Sequence, residues 1–172
     1  MQIDGLQVLK LKLVSDGRGI FKKLPNLDSM TVPQQIGPWV EQFYSVSKEG
    51  VIRGMHFQMP PFEQDKLVTC LTGKALDVVI DLRAGDNYGT IFSHLLKYDE
   101  PDSIFIPRGC AHGFLSLEGN TTIHYLTTSR HSIEHDRGIL WSSVEFEWGI
   151  LDPIVSVRDS EFPSLAEFNS PF

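Results

Sequence analysis

The stretch KLVTCLTGKALDVVIDL, Lys66 to Leu82, decides the fold class. Its second half alternates: Leu76, Val78, Ile80 and Leu82 fall on one side of an extended chain, and Asp77, Val79 and Asp81 on the other. Its first half, Lys66 to Leu71, is a separate β-run, and Thr72-Gly73 supplies turn chemistry between the two. The same short period recurs on either side. Gln42 to Ser47, Val51 to Gln58, Thr90 to Lys97, Ser103 to Ile106, His112 to Leu117 and Thr121 to Thr128 all read as strands. Met59-Pro60-Pro61, Arg83 to Gly89, Pro107-Arg108-Gly109 and Glu118-Gly119-Asn120 punctuate them. Many short strands with little helical period predict an all-β protein, an antiparallel sandwich or barrel. The first 40 residues and the tail after Trp148 are looser, with one short helical turn expected over Ser164 to Phe168.

The 172 residues suit a single domain, with a barrel core over about 40–150 and the N-terminal strands and C-terminal tail packed on it. No apolar run approaches a membrane span, and MQIDGLQVLKLKL at the N-terminus lacks the pattern of a secretory signal. Cys70 and Cys110 have no metal-like spacing and read as small core residues of a cytoplasmic protein. With 15 basic against 22 acidic residues, the net charge of −7 argues against nucleic acid as a partner. A small anionic ligand needs only a few cations in one pocket.

Side chains capable of chemistry gather in four segments: GVIRGMHFQMPPFEQDKLV (50–68), IPRGCAHGFLSL (106–117), IHYLTTSRH (123–131) and VSVRD (155–159). His56 and His112 with Glu63 would make a facial metal triad on paper. The His-x-His pair of a metal-binding cupin barrel is broken by Gln58, however, and Glu63 adjoins a Pro-Pro turn, so neither metal nor other cofactor is expected. Acid/base chemistry fits better. Removing a proton next to a ketone needs a base titrating near neutrality, a donor at the developing oxyanion and, for inversion, an acid on the opposite face. An imidazole, with an intrinsic pKa of about 6.5, suits the first role, and His56 is the candidate. Lys66 is placed to meet an enolate oxygen, Tyr125 shares a strand face with Ile123 and Thr127, and Asp159 is a candidate to orient the base. Taken singly, a strand tyrosine is usually core, and a lone lysine or aspartate usually solvated surface.

Together these segments resemble the dTDP-4-dehydrorhamnose 3,5-epimerase family over nearly the whole chain. The RG[LM]H[FY] segment of that family appears as Arg53-Gly54-Met55-His56-Phe57, followed by Lys66 in QDKLV, the DVVIDLR strand, the IPxGxAHGF segment over Ile106 to Phe114, Tyr125, and SxRD as Ser156 to Asp159. The resemblance implies a double-stranded β-helix (jelly-roll, cupin-like) barrel. It also implies epimerisation at C3 and/or C5 of a nucleotide-diphosphate 4-keto-6-deoxy sugar. It assigns His56 as base with Asp159 beside it, Tyr125 as acid and Lys66 as enolate stabiliser. Arg18 and Arg53, with Phe21 and Arg158, are implied at the pyrophosphate, and His112 and His131 in the sugar pocket. A homodimer exchanging an N-terminal strand is implied as well. Because Arg53 and His56 differ by three positions, a regular strand would point them to opposite faces, so a bulge near Gly54 is predicted.

The chain departs from the pattern at Lys23, where RGxFxE has glutamate, and at Glu41 and Phe43, where the family has a QxNxS strand. These departures predict recognition of a base other than thymine, or weak reading of thymine. His131 stands where the family has the second tyrosine of YxxxxxY, which predicts inversion at a single carbon. Two alternatives are a sugar-nucleotide 3,4-ketoisomerase, for which paired histidines on one strand are missing, and a metal-dependent or non-catalytic cupin. Stoichiometric metal in the purified protein would favour the latter.

Overall fold

The computed structural model describes residues 2–25, 35 and 37–172. Among these lie twelve strands: β1 (Gln7–Lys10), β2 (Lys12–Asp16), β3 (Gly19–Lys23), β4 (Glu41–Ser47), β5 (Ile52–Gln58), β6 (Lys66–Thr72), β7 (Lys74–Asp81), β8 (Ile91–Lys97), β9 (Asp102–Ile106), β10 (Cys110–Ser116), β11 (Thr121–Thr127) and β12 (Asp136–Gly138). Two five-stranded sheets, in the orders β1-β9-β6-β11-β4 and β12-β5-β10-β7-β8, face each other as a cupin-like jelly roll. Each strand read from the sequence is present, with ends shifted by a residue or two.

The turn at Thr72-Gly73 does not close a hairpin. It carries the chain from β6 in one sheet to β7 in the other. Gly73 sits at φ +72°, where a Cβ would come within 2.5 Å of the Thr121 hydroxyl, so the position admits only glycine.

The alternation in β7 explains why the barrel has two apolar layers. Ala75 and Val79 point between the sheets, joining Val68, Cys70, Ile104, Ile106, Cys110, Phe114, Ile123 and Tyr125. Val78, Ile80 and Leu82 point outward, where Ile139, Val144, Trp148 and the C-terminal Leu165, Phe168 and Phe172 cover them. A side chain on either face of this sheet is therefore removed from water, and the tail is part of the core. The expected turn near the C-terminus is a 3-10 turn at Leu165–Glu167, opened by a Ser164 capping box. A one-turn helix, α1 (Val157–Ser160), was not foreseen, because four residues carry no helical period. It begins at Ser156, whose hydroxyl accepts the Asp159 N–H. Both cysteines are free and buried in the inner layer.

Candidate active site

One end of the space between the sheets remains open as a cavity of about 250 Å³, lined by side chains of both sheets. From the first sheet come Phe43, Lys66 and Tyr125; from the second come Arg53, His56, His112 and Asp136. Loop and tail residues, among them His131 and Arg158, complete the rim.

The predicted bulge puts Arg53 and His56 in the same cavity. His56 pairs with His112 and Arg53 with Phe114, so Gly54 and Met55 oppose the single residue Gly113. Gly54, at φ +141°, would place a Cβ 2.5 Å from the Gly113 Cα. Any larger residue would push β5 off β10.

On the second sheet each histidine is tied to a carboxylate. The His56 Nε2 lies 2.9 Å from Asp159 Oδ1, and Asp159 Oδ2 accepts the Gly54 N–H at 3.1 Å. Burial works to raise the Asp159 carboxyl, but the bond to His56, its charge, Gly54 and Ser156 outweigh it and hold the group below the usual range. This contact leaves the His56 Nδ1 as the nitrogen free to exchange a proton. His112 lies beside His56 and bonds Asp77 at 2.7 Å, with side chains 4% and 0% exposed.

The first sheet is arranged differently. Lys66 is buried, its Nζ donating to the His56 carbonyl at 2.9 Å. Burial draws its ammonium down to about 8, with the Asp136 charge opposing. Burial also pushes the Tyr125 phenol well up, so it stays protonated at any working pH. The Phe43 ring stacks on Tyr125 at 4.8 Å and 16°, and the His112 ring meets it at 6.0 Å and 68°. Tyr125 shares its buried face with Ile123 and Thr127, as the alternation predicted. Lys66 and Asp159, residue types normally found in solvent, are 7% and 4% exposed.

Arg158 on α1 bonds Asp136 Oδ2 at 2.8 Å and lies 5.1 Å from the Phe162 ring, which itself meets the His56 ring at 5.8 Å. His131 Nε2 approaches the same Asp136 oxygen at 3.0 Å, while its backbone N–H donates to Glu41 at 2.8 Å. Two positions that depart from the family pattern, Glu41 and His131, thus touch one another across 90 residues of sequence. Arg18 and Phe21 are not at this cavity. They sit on the β2–β3 hairpin, around a separate groove, where Arg18 bonds Asp16 and its side chain is 91% exposed.

Sequence reading missed Asp136 and Asp77 as site residues. Asp77 carried a signal, an acidic residue on the inward face of an apolar strand. Asp136 carried none, since β12 has only three residues. Among the described residues no group of three or more His, Cys, Asp or Glu is placed to hold a metal, and the Glu63 triad does not assemble. Nor is any helix there long and apolar enough to cross a membrane.

The profile of the family described as dTDP-4-dehydrorhamnose 3,5-epimerase matches residues 1–167. A curated dTDP-4-dehydrorhamnose 3,5-epimerase of Sinorhizobium fredii is 39% identical over 127 residues, a match spanning 72% of this chain and 65% of that protein. Its counterpart from Shigella flexneri is 32% identical over 164 residues, 92% of this chain and 90% of that one. The crystal structure of the Bacillus anthracis dTDP-4-dehydrorhamnose 3,5-epimerase, with TDP and PPi bound, shares 29% identity and a TM-score of 0.86, covering 95% and 97% of the two chains. With its fold, cavity and sequence in agreement, the chain belongs to the dTDP-4-dehydrorhamnose 3,5-epimerase family and is an isomerase.

Proposed function

We propose that this protein inverts the configuration at C3 and/or C5 of a nucleotide-diphosphate 4-keto-6-deoxy sugar by proton removal on one face and proton return on the other. The observation that carries the reading is that His56 and Tyr125 line one cavity from opposite sheets. The His56 Nδ1 takes the proton from the carbon next to the ketone, and the electron pair moves to the carbonyl oxygen as an enolate. The Lys66 ammonium, already directed at an oxygen acceptor, neutralises that charge. The Tyr125 phenol returns a proton to carbon from the far side, and solvent then restores both groups. Asp159 fixes the tautomer of His56 and stabilises its imidazolium. Arg53 and Arg158, both at the rim, hold the diphosphate, with His112 and His131 beside the sugar.

Arg18 and Phe21 complete the nucleotide end in a second copy of the chain, in a homodimer that exchanges N-terminal strands. Two features support this. Among the described residues β2 and β3 pair only with each other, and β4 is a sheet edge exposing Tyr44 and Val46. Truncating Arg18 to Ala would then raise KM about tenfold with little change in kcat. The free cysteines suit a cytoplasmic enzyme.

The test is proton NMR in D2O with dTDP-, UDP-, CDP- and GDP-4-keto-6-deoxyglucose. Deuterium appears at a carbon flanking the ketone, and His56→Ala abolishes it. Absence of exchange with all four nucleotides would refute the function, and a strict preference for dTDP would refute the altered base recognition expected from Lys23, Glu41 and Phe43.

A further inference from the structure

The ring of Tyr125 has an aromatic neighbour on each sheet. Phe43 is its direct cross-strand partner on β4, and the two rings stack nearly parallel at 4.8 Å. The His112 ring meets Tyr125 from the opposite sheet and is itself pinned by the buried Asp77 at 2.7 Å. With one neighbour stacked on it and another locked behind it, the phenol has little room to swing. The carbons flanking the ketone lie on either side of the carbonyl carbon. An acid serving both must move between them, or the sugar must be re-seated beneath it.

We propose that Phe43 is a specificity-determining positioning residue: its stack on Tyr125 holds the acid in one orientation and confines proton return to one of the two carbons flanking the ketone. The inference rests on the proposed epimerase reading and deepens it. Phe43 touches the acid rather than the reacting atoms. It is 46% exposed on an edge strand, so its replacement opens the stack without emptying the barrel core.

The experiment follows inversion at C3 and C5 separately, using the 4-keto-6-deoxyglucose nucleotide that the wild type labels fastest. Wild type is compared with Phe43→Asn, Phe43→Leu and Phe43→Tyr, each checked for a cooperative melt. The ratio of the two inversion rates within one sample does not depend on how much enzyme is folded, so a merely structural loss leaves it unmoved. The expected wild-type ratio is about tenfold or more in favour of one carbon. Phe43→Asn and Phe43→Leu lower it about fivefold, and Phe43→Tyr, which restores the stack, retains it. Comparable inversion at both carbons by wild type would overturn the inference while leaving the epimerase reading intact. An unchanged ratio in both the Asn and Leu variants would overturn it too. No label at either carbon with any nucleotide removes the epimerase reading, and this inference with it.

Discussion

The two walls of the cavity are tuned by opposite means. On the second sheet, His56 and His112 are each matched to a carboxylate, Asp159 and Asp77. On the first, Lys66 and Tyr125 have no carboxylate bonded to them among the described residues and are instead stripped of water, one drawn down to about 8 and the other pushed up. Partnered charge fixes the tautomer and orientation of a base. Desolvation keeps a phenol protonated and makes an ammonium a stronger donor to a developing oxyanion. The base wall therefore depends on particular partners, whereas the acid wall depends on how dry it is.

The largest effect should come from breaking a pairing on the base wall. Asp159→Asn keeps the shape but replaces the carboxylate that orients His56 with an amide, and should lower kcat about a hundredfold with little change in KM. A loss confined to KM would mean that Asp159 acts on substrate binding instead. On the acid wall the sharper test is pH. Because the Lys66 ammonium deprotonates at about 8, kcat/KM should fall toward a limit of tenfold per pH unit above that value. Lys66→Arg, which stays charged, should move that limb upward, and an unmoved limb would assign it to another group.

The smallest effect is on stability, and its sign is opposite. The folded-state value for Lys66 lies below its ordinary 10.5. Between about 8 and 10.5 the unfolded chain therefore holds a proton that the folded chain lacks, so this residue makes stability rise with pH in that window. Below it, both states are charged and the contribution is flat. Tm of the wild type should gain on Tm of Lys66→Met between pH 8 and 10, measured by circular dichroism. A widening deficit over that range would contradict the assignment.

The strands were legible because β7 keeps a two-residue period and its neighbours are short runs that break at Gly and Pro. The bulge was legible too, since only an irregularity puts Arg53 and His56 on one face. Less was legible where contacts are long-range. Asp159 could be named from its motif, but its helix of four residues and its burial against Gly54 come from packing of the tail. Asp136 lies on a strand too short to show a period, and the bond between Glu41 and His131 joins residues with no shared local pattern. The transfer of the chain between sheets at Gly73 was missed because turn chemistry alone does not say which strand comes next.

The most direct test of the two-walled account compares Tyr125→Phe with His56→Ala, scoring solvent deuterium and inversion in the same NMR experiment. Without the phenol, His56 still removes the proton and returns a solvent-derived one to the same face, so Tyr125→Phe should label the substrate without inverting it, and His56→Ala should do neither. Inversion by Tyr125→Phe at the wild-type rate, or labelling by His56→Ala, would contradict the account.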